Sequence, residues 1–237
     1  MTTTVDTMKL SKDTLKILKN FSSLNSNLLV REGNVINTIT PAKNVVAVAN
    51  VKEKFPVEFG IWDMNKFLGT ISLFDDPEFS FGEKSVTVKG KNGGKVSYYY
   101  SEPSLLTTLT KEIKMPEVVI NFALSQSDFD DALKAASVLQ LPDMCVCSNN
   151  EEGTIELVVL DKKSSTTNNY KITLGDNVDG GTFKFYYRIE NLKLLPGDYS
   201  VSLCKSVVSR FVHKEHDLVY YVALEMDSKY ESTSWMN

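Results

Sequence analysis

Histidine and cysteine, the residues that most often build reactive centres, are rare in this chain of 237 residues. Its two histidines, His213 and His216, stand three apart in the segment HKEH. A metalloprotease helix places two histidines four residues apart, so both lie on one face. Here the spacing differs and the flanking residues have strand character. We interpret the segment as an exposed hairpin turn and expect no metal site.

The three cysteines also favour a structural interpretation. Cys145 and Cys147 lie two apart on a predicted strand, so their side chains point the same way. No second pair of ligands lies nearby in the sequence, and we predict buried core thiols. With Cys204 the number is odd and the spacing is not that of a secreted disulfide framework. A reduced, cytosolic protein is the expectation.

Two further motifs resemble catalytic ones without meeting their requirements. GKNGGKV, residues 90–96, has three residues between its glycines and a valine after its second lysine. A phosphate-binding loop needs four residues between its two glycines and a Ser or Thr directly after its lysine. We therefore predict a hairpin turn at Asn92 and Gly93. A predicted helix carries Asp128, Asp130 and Asp131 in its first turn. Acidic side chains are stabilised there by the positive end of the helix dipole. No catalytic constellation remains, and we expect neither enzyme activity nor a cofactor.

A row of lysines is the strongest remaining feature. The segment MKLSKDTLKILKNF carries Lys9, Lys12, Lys16 and Lys19, which fall within roughly 80° of a helix at 100° per residue. Yet the whole chain is acidic, with a net charge of −4. A solvated helix face is the usual explanation of such a row. Solvated helix faces normally mix acidic and basic side chains, whereas Asp13 is the one acidic residue among these four lysines.

The elements around this row form two similar series, which predict an α+β fold with two-fold internal repetition and a period near 115 residues. Each series has a helix, a hairpin, a strand, a second helix or turn, and three strands. In the first half we predict helices at 11–24 and 64–74 and strands at 28–30, 35–39, 78–81, 85–89 and 95–100. In the second half we predict a helix at 127–139, a turn at 189–195 and strands at 144–147, 154–160, 199–204, 209–213 and 218–225.

The predicted domains are residues 8–110 and 111–237, joined by a polar linker at about 107–116. Residues 1–7 are predicted to be a short disordered extension. Ser127 and Asp130 have the spacing of a capping box, which predicts a helix start there. No apolar run approaches the roughly 18 residues that span a membrane.

The sequence resembles the DNA polymerase sliding clamps of T-even-type bacteriophages, almost without gaps from Met8 to Ser228. The most similar segments are MKLSKDTLKILKNFSSLNS, WDMNKFLGTISL (62–73), LLPGDYSVSL (194–203) and YYVALEMDS (220–228). The resemblance implies the DNA clamp fold: two similar domains per subunit, three subunits in a head-to-tail ring, and helices around a hole that holds duplex DNA. It implies no catalysis and a location in the cytoplasm of the infected bacterial host.

The resemblance also implies partners and roles. The ring holds the replicative polymerase on DNA, an ATP-dependent clamp loader opens it, and the late-transcription machinery contacts it. Lys9, Lys12 and Lys19 match the family's hole-lining pattern, and Lys16 is an addition on the same face. Lys66, Lys134 and Lys193 are further DNA-facing candidates, although the third helix carries more acid than is usual in the family. For partner peptides, the family's pocket beside the linker implies Ile113, Met115, Val222 and Leu224.

One alternative stays open at this stage. A non-catalytic phage structural or adaptor protein, built from repeated β-rich domains, would show the same repeat. In such a protein the lysine row would be only a soluble face.

Overall fold

The computed structural model describes residues 7–111, 113–164, 166–178, 181–205 and 207–232. The chain divides into two compact units, residues 1–112 and 113–237. Both units combine α-helix with antiparallel β-sheet, which confirms the predicted α+β class. None of the helices in the described ranges is long and apolar enough to cross a membrane.

The described part of unit 1 contains two α-helices and eight strands. In chain order they are β1 (Thr7–Met8), α1 (Lys12–Leu24), β2 (Leu28–Val30), β3 (Gly33–Ile39), β4 (Val45–Phe55), β5 (Phe59–Ile61), α2 (Met64–Ser72), β6 (Glu78–Phe81), β7 (Ser85–Lys89) and β8 (Lys95–Tyr99). One sheet has the order β1-β6-β7-β8, while β3 pairs with β4 and β2 pairs with β5, all antiparallel. The turn between β7 and β8 is closed by two backbone hydrogen bonds between Gly90 and the glycines 93 and 94, so the predicted hairpin is confirmed.

The start of the described chain differs from the sequence prediction. Thr7 pairs with Ser80 and Met8 with Phe79, so Thr7 belongs to a sheet and not to a disordered extension. The backbone of this short strand is held by its hydrogen bonds to β6. The other residues of the predicted extension, 1–6, lie outside the described ones.

The core of unit 1 forms where the two helices face the strands. Each helix repeats apolar residues at intervals of three and four, so one side can be buried. On α1 that side carries Ile17, Leu18 and Phe21, and on α2 it carries Met64, Phe67 and Ile71. Burying a side chain of this size contributes about 1.5–3 kcal/mol. The helices are therefore fixed by packing, and their polar sides are turned outward.

Among its described residues, unit 2 contains one α-helix and nine strands. They are β9 (Val118–Leu124), α3 (Gln126–Leu139), β10 (Asp143–Asn149), β11 (Thr154–Leu160), β12 (Tyr170–Asp176), β13 (Thr182–Arg188), β14 (Tyr199–Cys204), β15 (Val208–His213), β16 (Leu218–Ala223) and β17 (Lys229–Glu231). One sheet has the order β12-β11-β10-β13-β17, and four further strands follow the order β16-β15-β14-β9. All pairings within the unit are antiparallel.

The two units repeat one topology. The order β1-β6-β7-β8 in unit 1 recurs as β9-β14-β15-β16 in unit 2, with a helix after the first strand in both. One element breaks the repeat. Where unit 1 has α2, unit 2 has only a three-residue 3-10 turn, Ile189–Asn191. Over the residues that the structure describes, unit 2 therefore presents one α-helix where unit 1 presents two.

The first turn of α3 corrects the predicted helix start. The sequence contains two overlapping S-x-x-D patterns, and the structure uses the earlier one. Ser125 Oγ accepts the N–H of Asp128 at 3.0 Å and donates to its carboxylate at 2.6 Å. Gln126 N–H also donates to Asp198 at 2.8 Å, which fixes the chain one residue before the predicted cap. The predicted cap, Ser127, lies inside the helix.

Candidate nucleic-acid interface

Three lysines of α1 form an exposed strip, Lys12, Lys16 and Lys19, which we call the lysine strip. They fall within about 60° of the helix circumference, opposite the buried face. Within the described ranges no ion pair joins any of the three to a carboxylate. Their ammonium groups are therefore available to an anionic ligand.

The start of α1 is anchored to β4 by Glu53. Its carboxylate accepts the Ser11 N–H and the Thr14 hydroxyl, while Ser11 Oγ caps the helix by accepting Thr14 N–H at 3.2 Å. Partial burial works to raise the pKa of Glu53, but these hydrogen bonds outweigh it and the pKa is lowered. This anchor fixes the position of the helix that carries the lysine strip.

The only acid among the four lysines is neutralised locally. Asp13 Oδ2 lies 3.3 Å from the Nζ atom of Lys52 on β4. The pairing directs the negative charge toward the strand and away from the lysine strip. The exposed polar side of α1 is therefore uniformly positive, which the residue pattern alone did not establish.

Lys9 does not belong to α1, which corrects its predicted place on the helix. Ser11 adopts an extended backbone conformation as the N-cap, so the helix begins at Lys12. Lys9 Nζ lies 2.5 Å from Asp76 Oδ2, and Lys91 Nζ contacts the same oxygen at 3.4 Å. The hydrogen bond to Asp76 is the main cause of a raised pKa at Lys9. Lys9 is thus an exposed cation with a partner, separate from the lysine strip.

The second helix carries one more exposed lysine. Asp63 caps α2 by accepting the N–H of Lys66 at 3.0 Å, and the Lys66 ammonium lies 3.6 Å from the same carboxylate. Between α1 and α2 runs an open groove of about 870 Å³. Lys12, Lys19 and Asn65 line it together with apolar side chains such as Leu68. The two helices therefore present one surface.

The corresponding surface of unit 2 is weaker in positive charge. Lys134 is exposed on α3, but the helix also carries Asp128, Asp130 and Asp131. Asp128 is engaged in the cap, whereas Asp130 and Asp131 are exposed. Val138 on the same helix is 73% exposed. The sequence expectation of a less basic third helix is thus matched by exposed acids on its surface.

Lys193 is the DNA-facing candidate that falls in the predicted turn at 189–195. It follows the 3-10 turn Ile189–Asn191 and its side chain is exposed between the buried residues Leu192 and Leu194. Three residues are too few to form one α-helical turn, so no helix face presents this lysine. Lys193 is therefore an exposed cation of unit 2 that lies outside any α-helix.

The net charges of the two units have opposite signs. Unit 1 has 14 Lys and Arg against 12 Asp and Glu, a balance of +2. Unit 2 has 12 against 18, a balance of −6. The overall value of −4 therefore hides a basic half that carries the lysine strip.

The predicted partner residues separate into two groups. Ile113 and Met115 are half-buried in the extended segment before β9. Val222 is 0% exposed and Leu224 is 8% exposed, so both are core side chains. On β16 the side chains alternate, and Val219, Tyr221 and Ala223 point to the other face. The expectation that Val222 and Leu224 line an accessible pocket is wrong for this reason.

His213 differs from the exposed turn residue that we predicted. The turn itself is present, but the His213 ring is buried and its Nε2–H donates to the Pro196 carbonyl at 3.1 Å. Its Nδ1 accepts the N–H groups of Glu215 and His216. Burial lowers the pKa of His213. Gly197 is required beside it, because a Cβ there would lie 2.2 Å from Nε2.

Cys145 and Cys147 are free thiols; Cys145 is buried, as predicted, whereas Cys147 is not fully buried. They share the face of β10 opposite the buried rings of Phe183 and Phe185, and Cys147 is only half-buried. The hydrogen bond with Cys147, followed by burial, raises the pKa of the Cys145 thiol. Among the described residues no group of three or more His, Cys, Asp or Glu side chains is arranged to hold a metal ion.

Two residues that organise this surface had no sequence signal. Glu53 is 42 residues from the Ser11 N–H that it accepts, and Asp76 is 67 residues from Lys9. Short-range patterns such as capping boxes cannot reveal partners at these separations. The lysine strip itself was visible because helical spacing is local.

Comparison with known proteins gives consistent results. A family model described as "gp45 sliding clamp, C terminal" matches residues 121–226. The sliding clamp of Vibrio phage KVP40 is 31% identical over 221 residues, covering 92% of this chain and 99% of the relative. The sliding clamp of Enterobacteria phage T4 is 30% identical over 231 residues, covering 94% of this chain and 100% of the relative.

Solved structures extend the likeness of the fold. PCNA of A. fulgidus, in a structure with the C-terminal region of FEN-1, matches with a TM-score of 0.67 at 14% identity, covering 94% of this chain and 98% of that one. The H. pylori beta clamp matches with a TM-score of 0.66 at 10% identity, covering 93% of this chain and 65% of that one. At these identities the likeness concerns the fold alone, and it confirms the predicted DNA clamp fold. Together with the identity to the phage proteins over nearly the whole chain, it shows that this chain belongs to the phage sliding clamp family, whose members are non-catalytic processivity factors of DNA replication.

Proposed function

We propose that three copies of this chain close head-to-tail into a ring around duplex DNA, with the lysine strip facing the phosphates. The observation that carries the proposal is the strip itself: three exposed lysines of one sign, on a helix fixed to β4 and freed of its only acid by Lys52. Lys66 is a further exposed cation of unit 1, and Lys134 and Lys193 are exposed cations of unit 2. Lys9 contributes positive charge beside Asp76.

The mechanism follows from the way DNA carries charge. A duplex has about one negative charge per 1.7 Å of its axis, and contacts to phosphates carry no sequence information. Spaced lysines therefore attract the duplex without fixing a position along it. Because a closed ring prevents escape topologically, each contact can be weak enough to permit sliding. The ring then holds the polymerase near the primer end.

The charge difference between the units supports head-to-tail assembly. A unit with a balance of +2 attracts one with a balance of −6, whereas two copies of the acidic unit repel each other. An arrangement that alternates the units around a ring brings unlike charges together at every junction. The acidic excess of unit 2 also disfavours DNA binding away from the basic surface.

The partners that we infer are the replicative polymerase, an ATP-dependent clamp loader and the late-transcription machinery, in the cytoplasm of the infected bacterium. Ile113 and Met115 are the residues that we place in a docking surface for their apolar peptides, since both are partly exposed on an extended segment. Val222 and Leu224 are left out because a peptide would have to displace core contacts to reach them.

The decisive experiment measures processive synthesis on primed circular DNA with the cognate polymerase and loader. We compare Lys12→Glu combined with Lys19→Glu against a control with the same change of charge, Lys184→Glu combined with Lys229→Glu. Lys184 and Lys229 are cross-strand neighbours, and Lys184 lies on the sheet face opposite the buried Phe183 and Phe185. The strip variant should give shorter DNA products. The slope of log retention constant against log salt concentration should fall in magnitude by about 0.9 for each lost phosphate contact.

Ring size is measured in parallel by light scattering, so that loss of assembly is not mistaken for loss of DNA contact. Normal assembly with shortened products in the strip variant supports the proposal. Equal processivity in the strip and control variants would remove the lysine strip from the mechanism.

A further inference from the structure

The groove between α1 and α2 has an apolar lining that neither the core of unit 1 nor the lysine strip accounts for. Five of its side chains are apolar and only half-buried: Leu10, Leu15, Leu68, Phe74 and Pro77. The groove is open and has a volume of about 870 Å³. Apolar surface that stays accessible inside a rim of polar residues is typical of a site where another molecule binds.

Each wall of the groove is one face of a helix. The lining residues of α1 recur at intervals of three and four, at Lys12, Leu15, Lys19, Ser22 and Ser23. Those of α2 do the same, at Asn65, Leu68, Gly69 and Ser72. Residues at these intervals lie one above another on the same side of a helix. The groove therefore follows both helices along their length.

The two helices run in opposite directions along the groove. At one end Lys9, shortly before α1, contacts Asp76, shortly after α2, at 2.5 Å. At the other end the N–H of Met64, the first residue of α2, donates to the carbonyl of Ser26, shortly after α1, at 2.8 Å. Residues 12–23 of α1 rise by about 16 Å at 1.5 Å per residue, which equals about three turns of a further helix.

The charge around the groove is positive. Lys12 and Lys19 stand on the α1 wall, and no carboxylate of the described ranges forms an ion pair with either of them. Among the described lining residues Asp76 is the one acid, and Lys9 and Lys91 both contact its carboxylate. Its negative charge is thus balanced within unit 1. A ligand that complements the groove should carry acidic side chains beside apolar ones.

Duplex DNA would use only part of this surface. Its phosphates are attracted by Lys12 and Lys19, but a charged backbone gains nothing from apolar walls, since burying charge against apolar groups costs free energy. An amphipathic helix uses both features. Its apolar side enters a groove with anchors at intervals of three and four, and its polar sides meet the rim.

We propose that the groove between α1 and α2 is a docking site for an acidic amphipathic helix of a partner protein, about three turns long. Its apolar side chains lie against Leu15 and Leu68, and its carboxylates reach Lys12 and Lys19. The docking itself depends on unit 1 alone. Its consequence rests on the function proposed above: since Lys12 and Lys19 serve both ligands, the docked helix and duplex DNA exclude each other. A partner bound here would keep DNA out of the ring.

Gly69 offers a way to fill the groove without disturbing the fold. A Cβ added at Gly69 would meet no other part of the protein within 4 Å, so the position is open. The glycine lies inside α2, where leucine has the higher helix propensity. Gly69→Leu should therefore fold normally and place an apolar side chain where the docking helix would lie.

Full-length protein is titrated into a fluorescent synthetic peptide, and anisotropy reports binding. The probe has about 14 residues, enough for three turns and a flank at each end. It carries leucines at intervals of three and four and glutamates at the other positions. The control peptide has the same composition with its leucines spread around the helix. We expect saturable binding of the probe and at least about ten-fold weaker binding of the control peptide.

Variants of the protein locate the bound probe. Gly69→Leu should weaken binding by about ten-fold or more through a steric clash, and Leu68→Ser by about five-fold or more through lost apolar contact. Leu73→Ser is the matched control, because Leu73 is 69% exposed at the end of α2 and does not line the groove. Lys12→Glu and Lys19→Glu should each weaken binding by about two- to five-fold, the range of an exposed ion pair. Urea unfolding of every variant checks that the fold is intact.

Short duplex DNA is then added to the complex at low salt, where phosphate contacts are strongest. Release of the probe, together with the expected effects of the variants, supports the docking site and its consequence. Binding that is unchanged in Gly69→Leu and Leu68→Ser, or no tighter than that of the control peptide, would overturn the docking site. Assemblies larger than a trimer that Gly69→Leu dissolves would show that a second copy occupies the groove, and the proposal would also fail. If the probe docks as expected and duplex does not release it, the docking site stands and the DNA-facing role of Lys12 and Lys19 fails.

Discussion

The anchoring of α1 by Glu53 gives a quantitative prediction, because one side chain links the lysine strip to the sheet. Its carboxylate accepts two hydrogen bonds, from the Ser11 N–H and from the hydroxyl of the buried Thr14. Hydrogen bonds to charged groups contribute about 1.5–3 kcal/mol each. Since Glu53 is only partly buried, solvent screening reduces the effect. We expect Glu53→Ala to lower the free energy of unfolding by about 2 kcal/mol.

Urea unfolding at a fixed protein concentration measures this change, and hydrogen exchange locates it. Amide protons of α1 should lose protection in Glu53→Ala, while those of α3 should keep it. Glu58→Ala is the matched control, since Glu58 is exposed and lies 3.9 Å from Arg31; we expect a change of less than about 0.5 kcal/mol.

The same anchor predicts an acid dependence. Because the pKa of Glu53 is lowered in the folded protein, its contribution is complete above its ordinary value of 4.5 and is lost as the pH falls through the folded value. Glu53→Ala should remove that part of the acid sensitivity. The reasoning would be refuted if Glu53→Ala and Glu58→Ala had equal stability and equal protection of α1.

Two further predictions concern unit 2. Ser125→Ala should cost about 1 kcal/mol of unfolding free energy as a lost helix cap, whereas Ser127→Ala, inside the helix, should change it by less than about 0.5 kcal/mol; equal effects in urea titrations would contradict the assigned cap. The pKa of His213 is lowered by burial, so stability should fall as the pH drops below about 6.5, by at most about 1.4 kcal/mol per pH unit. In His213→Gln this slope should disappear, while the control His216→Gln keeps it; a slope that survives in His213→Gln would assign the titration to another group.

Much of the fold could be predicted from sequence because its signals are local. The helical spacing of apolar residues located α1 and α2, and the Gly93 turn located the hairpin of β7 and β8. The repeat of similar series predicted two related units. The sequence pattern places the start of α3 too late because two cap patterns overlap. The contact of Gln126 with Asp198, 72 residues away, supports the first pattern and has no local signal.

The candidate surface was predictable only in part. The lysine strip follows from the 3.6-residue period of one helix. The neutralisation of Asp13, the pairing of Lys9 with Asp76 and the burial of Val222 depend on residues brought together from distant strands. The burial of Val222 illustrates the difficulty, since a shift of one residue along a strand exchanges core and surface.

The central claim is that the lysine strip faces duplex DNA inside a closed ring. The direct measurement is photo-cross-linking from a benzoylphenylalanine placed at Lys16, after the loader has placed the ring on nicked circular DNA. We expect cross-links to DNA from position 16 that require loading, and none from the same photoreactive residue at position 184. Cross-links from Lys184 with none from Lys16 would contradict it.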